Sequence, residues 1–117
     1  MLSFNPDSYS QEEMERLVLG TILTISKLSD AQKLRPEHFQ ETRNRASFEV
    51  MLDLDESEQA IEPESITEVL KQRGIERSAG YLQQLKAYQV DKVLFKNIID
   101  VLKDLSFKRK IGKIKNA

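Results

Sequence analysis

Apolar residues recur at helical spacing along almost the whole chain, and no segment alternates as a half-buried strand would. SQEE, Ser10 to Glu13, has the form of a capping box, with a Ser N-cap and a Glu three residues on. The segment that follows, MERLVLGTILTI, is too apolar for a helix with one exposed face and predicts a largely buried one. Gly20 lies inside it. A mid-helix Gly costs about 1 kcal/mol against Ala, which points to close packing against a neighbouring helix. A short second helix is expected over Ser26–Lys33, with Leu28 and Ala31 inward. LRPEHF, Leu34 to Phe39, then interrupts. Pro36 disfavours helical geometry at Arg35 and starts a turn of its own, bracketed by Leu34 and Phe39 as apolar anchors.

Further helices follow. Glu41 to Leu54 carries Phe48, Met51 and Leu52 at i, i+3, i+4, with Ala46 and Val50 nearby. After the polar connection DESEQAIEP comes EPESITEVLKQRG. It has Pro63 near its start, acids in its first turn, Lys71 and Arg73 in its last, and Gly74 beyond. Ile66, Val69 and Leu70 form its stripe. SAGYLQQLKAYQ predicts another helix, with Tyr81, Leu82 and Leu85 apolar, and Asp91 caps a long final one. The pattern is six helices and no sheet, an all-α fold.

The final helix carries two apolar seams. Leu94, Ile98, Val101 and Leu105 form one, and Phe95, Ile99 and Leu102 its neighbour. A helix packed on one side of a monomer needs only one stripe. One seam can pack on the preceding helix, so the last two helices are expected to form an αα-hairpin whose other seam self-associates. The competing reading is that both seams are buried inside a compact bundle.

The bulk properties narrow the function. A chain of 117 residues, 39% hydrophobic and 32% charged, can bury the core of one ordinary domain. It has no cysteine, which removes disulfides, thiolate nucleophiles and cysteine zinc sites. No apolar run approaches the roughly 20 residues that span a bilayer, and MLSFNPDSYSQEE lacks the form of a signal peptide. A soluble cytoplasmic protein is expected, with no membrane partner. Net charge is −1 but uneven. From Lys103 onward six cations stand against Asp104, whereas Asp53 to Leu70 holds seven acids and no Lys or Arg. Cations at a helix end and a solvated acidic loop account for each feature taken singly.

Catalytic signals are absent. His38 is the sole histidine and has no second His or Cys to share a metal and no oriented partner for acid–base work, so it reads as a polar residue at a bend. There is no phosphate loop, GxSxG or HExxH, and the four glycines are scattered. No cofactor and no enzyme activity are expected. Lys108, Arg109, Lys110 and Lys113, interleaved with Phe107, offer a weak nucleic-acid or partner contact.

Taken in order, VLGTIL (Val18–Leu23), LRPEHF (Leu34–Phe39), RASFEVMLDL (Arg45–Leu54), IEPESITEVLKQRG (Ile61–Gly74) and AGYLQQL (Ala79–Leu85), then a long basic-ended helix, resemble the amino-terminal domain of DnaB-type replicative DNA helicases. The resemblance runs from about Gln11 to about Ile111. Asn44 and Ser47 stand where that family usually has a His and a bulky aliphatic residue, and Val90-Asp91 replaces a common Pro-Thr. The helicase-binding domain of primase is a more distant likeness.

The resemblance implies a compact helical head of about four helices, roughly residues 10–76, followed by a carboxyl-terminal helical hairpin, roughly 77–114. It further implies pairing hairpins, a collar on a hexameric ring, and docking of primase or a helicase loader, with the motor domain elsewhere. On this reading Tyr81, Leu82, Leu85, Leu94, Ile98, Val101, Leu102 and Leu105 carry the hairpin and self-association, and DNA contact is weak or indirect. The alternative is a stand-alone phage or mobile-element protein of this fold that binds and regulates the helicase or primase. A chain starting at Met1 and ending in a lysine-rich tail is compatible with it. A small DNA-binding protein using that tail is a third reading, opposed by the acidic body.

Overall fold

Ser10 closes the start of the first helix as SQEE predicts. The Glu13 N–H donates to Ser10 Oγ at 3.0 Å and the Ser10 N–H to Glu13 Oε1 at 3.2 Å. Two donors that a helix start leaves open are thereby satisfied. The computed structural model describes residues 8–75 and 78–115, without the side chains of 78, 79 and 113–115. Five α-helices run through them: α1 (Gln11–Ile25), α2 (Thr42–Glu56), α3 (Pro63–Gln72), α4 (Ser78–Leu85) and α5 (Lys92–Lys115). Two short 3-10 turns, Ser29–Lys33 and Pro36–His38, join α1 to α2. Among the described residues there is no strand, and the fold is all-α as expected.

Local chemistry sets most boundaries. Glu41 caps α2 by accepting the Asn44 N–H at 2.7 Å. Pro63 opens α3, and Gly74 follows its end with φ +79°. Asp91 Oδ1 accepts the Leu94 N–H at 2.8 Å, the cap expected for α5. The helix expected over Ser26–Lys33 is instead a 3-10 turn that begins at Ser29. Ser26 and Ser29 both lie in the left-handed region, with φ 58° and 52°, and so deny an α-helical turn between them.

Helix α1 is the centre of the core. Val18, Leu19, Ile22 and Leu23 are fully covered, alongside Phe39, Phe48, Met51 and Ile66. The Phe39 and Phe48 rings pack tilted, with centroids 4.7 Å apart. LRPEHF does what its anchors suggest, since Leu34 and Phe39 are buried on either side of the second 3-10 turn.

The last two helices depart from the expected mutual pairing. Helix α4 packs on α3 and α1, while α5 packs on α1 and both 3-10 turns, and the two make little contact with each other. The cause lies at Gly20. A Cβ there would collide with the carbonyl oxygens of Leu85 and Tyr88, so the end of α4 rests directly on the backbone of α1. The Val90 N–H then donates to Thr21 Oγ1 at 3.1 Å. The connection is fastened to α1, and each helix leaves it along a different neighbour. The radius of gyration of 14.3 Å is near the roughly 13 Å of a compact chain this long. The expected boundary between head and hairpin, at 76–77, falls outside the described residues.

Candidate functional site

Helix α5 distributes its apolar residues over three environments. Phe95, Ile98, Ile99 and Leu102 are buried against the rest of the chain. Leu94, Val101 and Leu105 are half-covered and border that core. Val93 and Phe107 stand out in solvent at 71% and 61% exposure. The eight residues expected to carry hairpin and self-association therefore divide. Leu82, Leu85, Ile98 and Leu102 are enclosed within the chain, whereas Tyr81, Leu94, Val101 and Leu105 retain accessible surface. Leu94, Ile98, Val101 and Leu105 keep alternating spacings of four and three, the period of a helix-pairing seam, although Ile98 turns inward. Beside this seam a groove of about 640 Å³ opens between the start of α1 and α5, lined by Tyr9, Met14, Val101, Leu105 and Arg109.

The basic end of α5 is largely engaged with its own chain. Lys108 pairs with Asp104 at 3.0 Å, Lys110 with Glu37 at 3.1 Å, and Arg109 Nη1 donates to Gln11 Oε1 at 3.4 Å. The Lys110 ammonium holds the Glu37 carboxyl below the usual carboxylate range, first by hydrogen bonding and then by its charge. The two ion pairs are exposed and individually weak. They commit to intramolecular partners the charge that phosphate contact would need. Lys113 lies outside the residues whose side chains are described.

His38 sits where a bend needs an acceptor. Its Nδ1 accepts the Arg35 N–H at 2.8 Å and closes the Pro36–His38 turn. Partial burial lowers its pKa; the Glu37 charge opposes that shift, while Lys103, Lys110 and Arg35 reinforce it. The neutral form that accepts this bond is thus favoured. Among the described residues, no group of three or more His, Cys, Asp or Glu is placed to hold a metal.

One constellation escaped the sequence reading. Glu15 is fully buried and accepts four donors: Gln11 Nε2 at 2.8 Å, the Gln40 N–H at 2.7 Å, the Glu41 N–H at 3.3 Å and Asn44 Nδ2 at 3.0 Å. Asn44, also fully buried, accepts a short hydrogen bond from the Tyr81 hydroxyl through Oδ1. The Arg43 guanidinium lies 3.7 Å from the Tyr81 ring centroid. Burial, helped by the Glu41 charge and opposed by Arg43 and Arg16, pushes the Tyr81 phenol up to about 12. The network ties α1, α2 and α4 together, so Tyr81 orients α4 as well as offering surface. Its members lie far apart in sequence, and only the unusual Asn44 hinted at it.

This all-α geometry agrees with what the chain is similar to. It matches the family model for the DnaB-like helicase N terminal domain over residues 7–104. Its fold is similar to the solved structure of a DnaB-like replicative helicase, described with that protein's interactions with primase. The TM-score is 0.73 and the identity 30%, over 90% of this chain and 25% of that one. The chain thus spans a quarter of that helicase's length. No curated protein gave a match.

Proposed function

This chain belongs to the DnaB-like helicase N-terminal domain family, and on that premise we propose that it is a non-catalytic assembly and docking domain acting in cytoplasmic DNA replication. Its task is to pair with copies of itself and to receive primase or a helicase loader. The observation that carries the reading is the half-covered seam of Leu94, Val101 and Leu105 along α5. In a single copy these three aliphatic residues, on one helix face, stay partly wet. A second copy laid along that face buries them, at about 25 cal/mol for each Å² removed from water. Primase enters the proposal from the similar helicase, whose structure was described with its primase interactions. The groove beside the seam is concave and apolar-floored, as a docking site for a partner helix should be.

Mass in solution tests the assembly role. The wild-type chain is expected to exceed monomer mass, and Leu94→Lys with Leu105→Lys to lower it while helix content by circular dichroism stays intact. An unchanged mass in that variant removes the seam from the proposal. Docking is tested by titrating purified primase into the wild-type chain in a calorimeter, and heat that persists unchanged in the double variant would separate docking from the seam.

A further inference from the structure

Helix α5 has a face that neither the core nor the seam uses. Lys92, Lys96, Lys103, Phe107 and Lys110 are all exposed. At about 100° per residue they fall within an arc of about 60°, on the side of the helix opposite Leu94, Val101 and Leu105. Phe107 stands 61% exposed, with Lys103 at i−4 and Lys110 at i+3. Lys110 is held by Glu37, but Lys92, Lys96 and Lys103 form no ion pair among the described residues. Asp100 borders this face, and Asp104 lies farther round, where it holds Lys108. The Pro36–His38 turn packs on α5, and Arg35 at its start extends the charge. Arg35 is exposed, forms no ion pair among the described residues, and acts on the His38 ring with the same sign as Lys103 and Lys110.

Like charges four apart on a helix repel, as Lys92 and Lys96 do, so this face carries a cost that an anion would relieve. The cations from Lys92 to Lys110 span about 27 Å of helix, which calls for an extended polyanion rather than a point charge. The open ring of Phe107 narrows the choice. It offers a stacking platform to an unpaired base, whereas duplex bases are already stacked and an acidic peptide has charge but no base to stack. The acidic stretch from Asp53 to Leu70 does not oppose such a ligand, because it belongs to the end of α2, its exit and α3, while α5 packs chiefly on α1 and the two 3-10 turns.

We propose that the outer face of α5 binds single-stranded nucleic acid. Lys92, Lys96, Lys103 and Arg35 take the phosphodiester backbone, and Phe107 stacks on one base. The contact reads no sequence, since every base has a face to stack and the lysines touch only phosphates. It does not depend on the self-association reading, because the seam lies on the other side of the helix and both faces can be occupied together. Nor does it use the paired Lys108 and Arg109, so the cations that serve it are those the fold leaves free.

The test titrates the full chain into a fluorescent oligothymidylate of about 16 nucleotides and reads anisotropy across a salt series. With four cations on phosphate, the logarithm of the wild-type affinity should fall against that of salt with a slope of about −3. Lys96→Glu with Lys103→Glu should weaken binding at least about tenfold and halve the slope. Phe107→Ala should weaken it about fivefold or more and leave the slope unchanged. Lys71→Glu with Lys86→Glu, exposed on α3 and past α4, makes the same change in net charge and should keep most of the affinity. All these positions are exposed, so circular dichroism and solution mass should stay as in the wild type. No binding by the wild type overturns the proposal and leaves the seam standing. An equal loss in the Lys71 and Lys86 variant reduces the effect to net charge and overturns it as well. Polyglutamate that binds as tightly as the oligonucleotide, or a Phe107→Ala chain that binds like wild type, overturns the assignment to nucleic acid.

Discussion

Substituting Gly20 by Ala brings opposing effects into one measurement. In an isolated helix the change stabilises by about 1 kcal/mol. Here the added Cβ would meet the carbonyl oxygens of Leu85 and Tyr88 and lie 2.8 Å from the Tyr88 carbonyl carbon, all of them backbone atoms. Backbone cannot rotate away as a side chain can, so α4 and its exit must move off α1. That movement breaks the bond from the Val90 N–H to Thr21 Oγ1, a loss of about 1 kcal/mol. It also uncovers part of Leu82 and Leu85, both buried, where full exposure of each would cost about 1.5–3 kcal/mol. With about half of that lost, and the helix gain subtracted, Gly20→Ala should destabilise by about 1.5–3 kcal/mol. Gly112, where an added methyl would meet nothing within 4 Å, is the control. Gly112→Ala should be neutral or stabilise by up to about 1 kcal/mol. Urea unfolding followed by circular dichroism reads both. A Gly20→Ala chain as stable as wild type would refute the close approach of α4 to α1 and the account of the α4–α5 connection built on it.

The buried network gives further expectations. Tyr81→Phe removes the hydroxyl that bonds Asn44 Oδ1 and leaves that buried atom unpaired, for a loss of about 1–3 kcal/mol by urea unfolding; no loss would mean that water or another donor takes over. Glu15→Gln replaces one of two acceptor oxygens by a donor amid four donors and should also destabilise by about 1–3 kcal/mol, and a neutral result would show the site repacking. The Tyr81 phenol, pushed up to about 12 from 10.0, ionises more readily unfolded than folded. Its contribution to stability is therefore complete below about pH 10 and is lost as pH rises through the folded value near 12. Tyrosinate absorbance should show a late step that Tyr81→Phe abolishes, and its persistence would assign the step to another tyrosine.

The readable parts of the fold were those fixed by near neighbours. Ser10 with Glu13, Asp91 before Leu94, Pro63 and Gly74 around α3, and the two anchors of LRPEHF act within a few residues of one another. The seams of α5 were legible too, but their allocation was not. Spacing shows that Ile98 and Leu105 share a face of α5, but not that the first meets α1 and its neighbours while the second faces the groove. The mutual pairing expected of α4 and α5 assumed that a short connection makes adjacent helices partners. Gly20 and Thr21 redirected both onto α1, through contacts some 65 to 70 residues away along the chain. The Glu15–Asn44–Tyr81 network spans similar distances, and charged or amide side chains give no periodic sign of being buried.

Helix α5 is also graded along its length. Its first half is rooted by Phe95, Ile98, Ile99 and Leu102, all inside the core. Beyond Ser106 none of its described side chains is fully buried, and surface pairs such as Lys110 with Glu37 hold it in place. The free energy of local opening should therefore fall steeply along a single helix, from near the global value at the root to little at the tip. A partner that grips the tip can bend or lift it without disturbing the fold, while a pull at the root is felt by the whole domain. The helix thus acts as a compliant lever, stiff at its mounting and yielding where it is grasped.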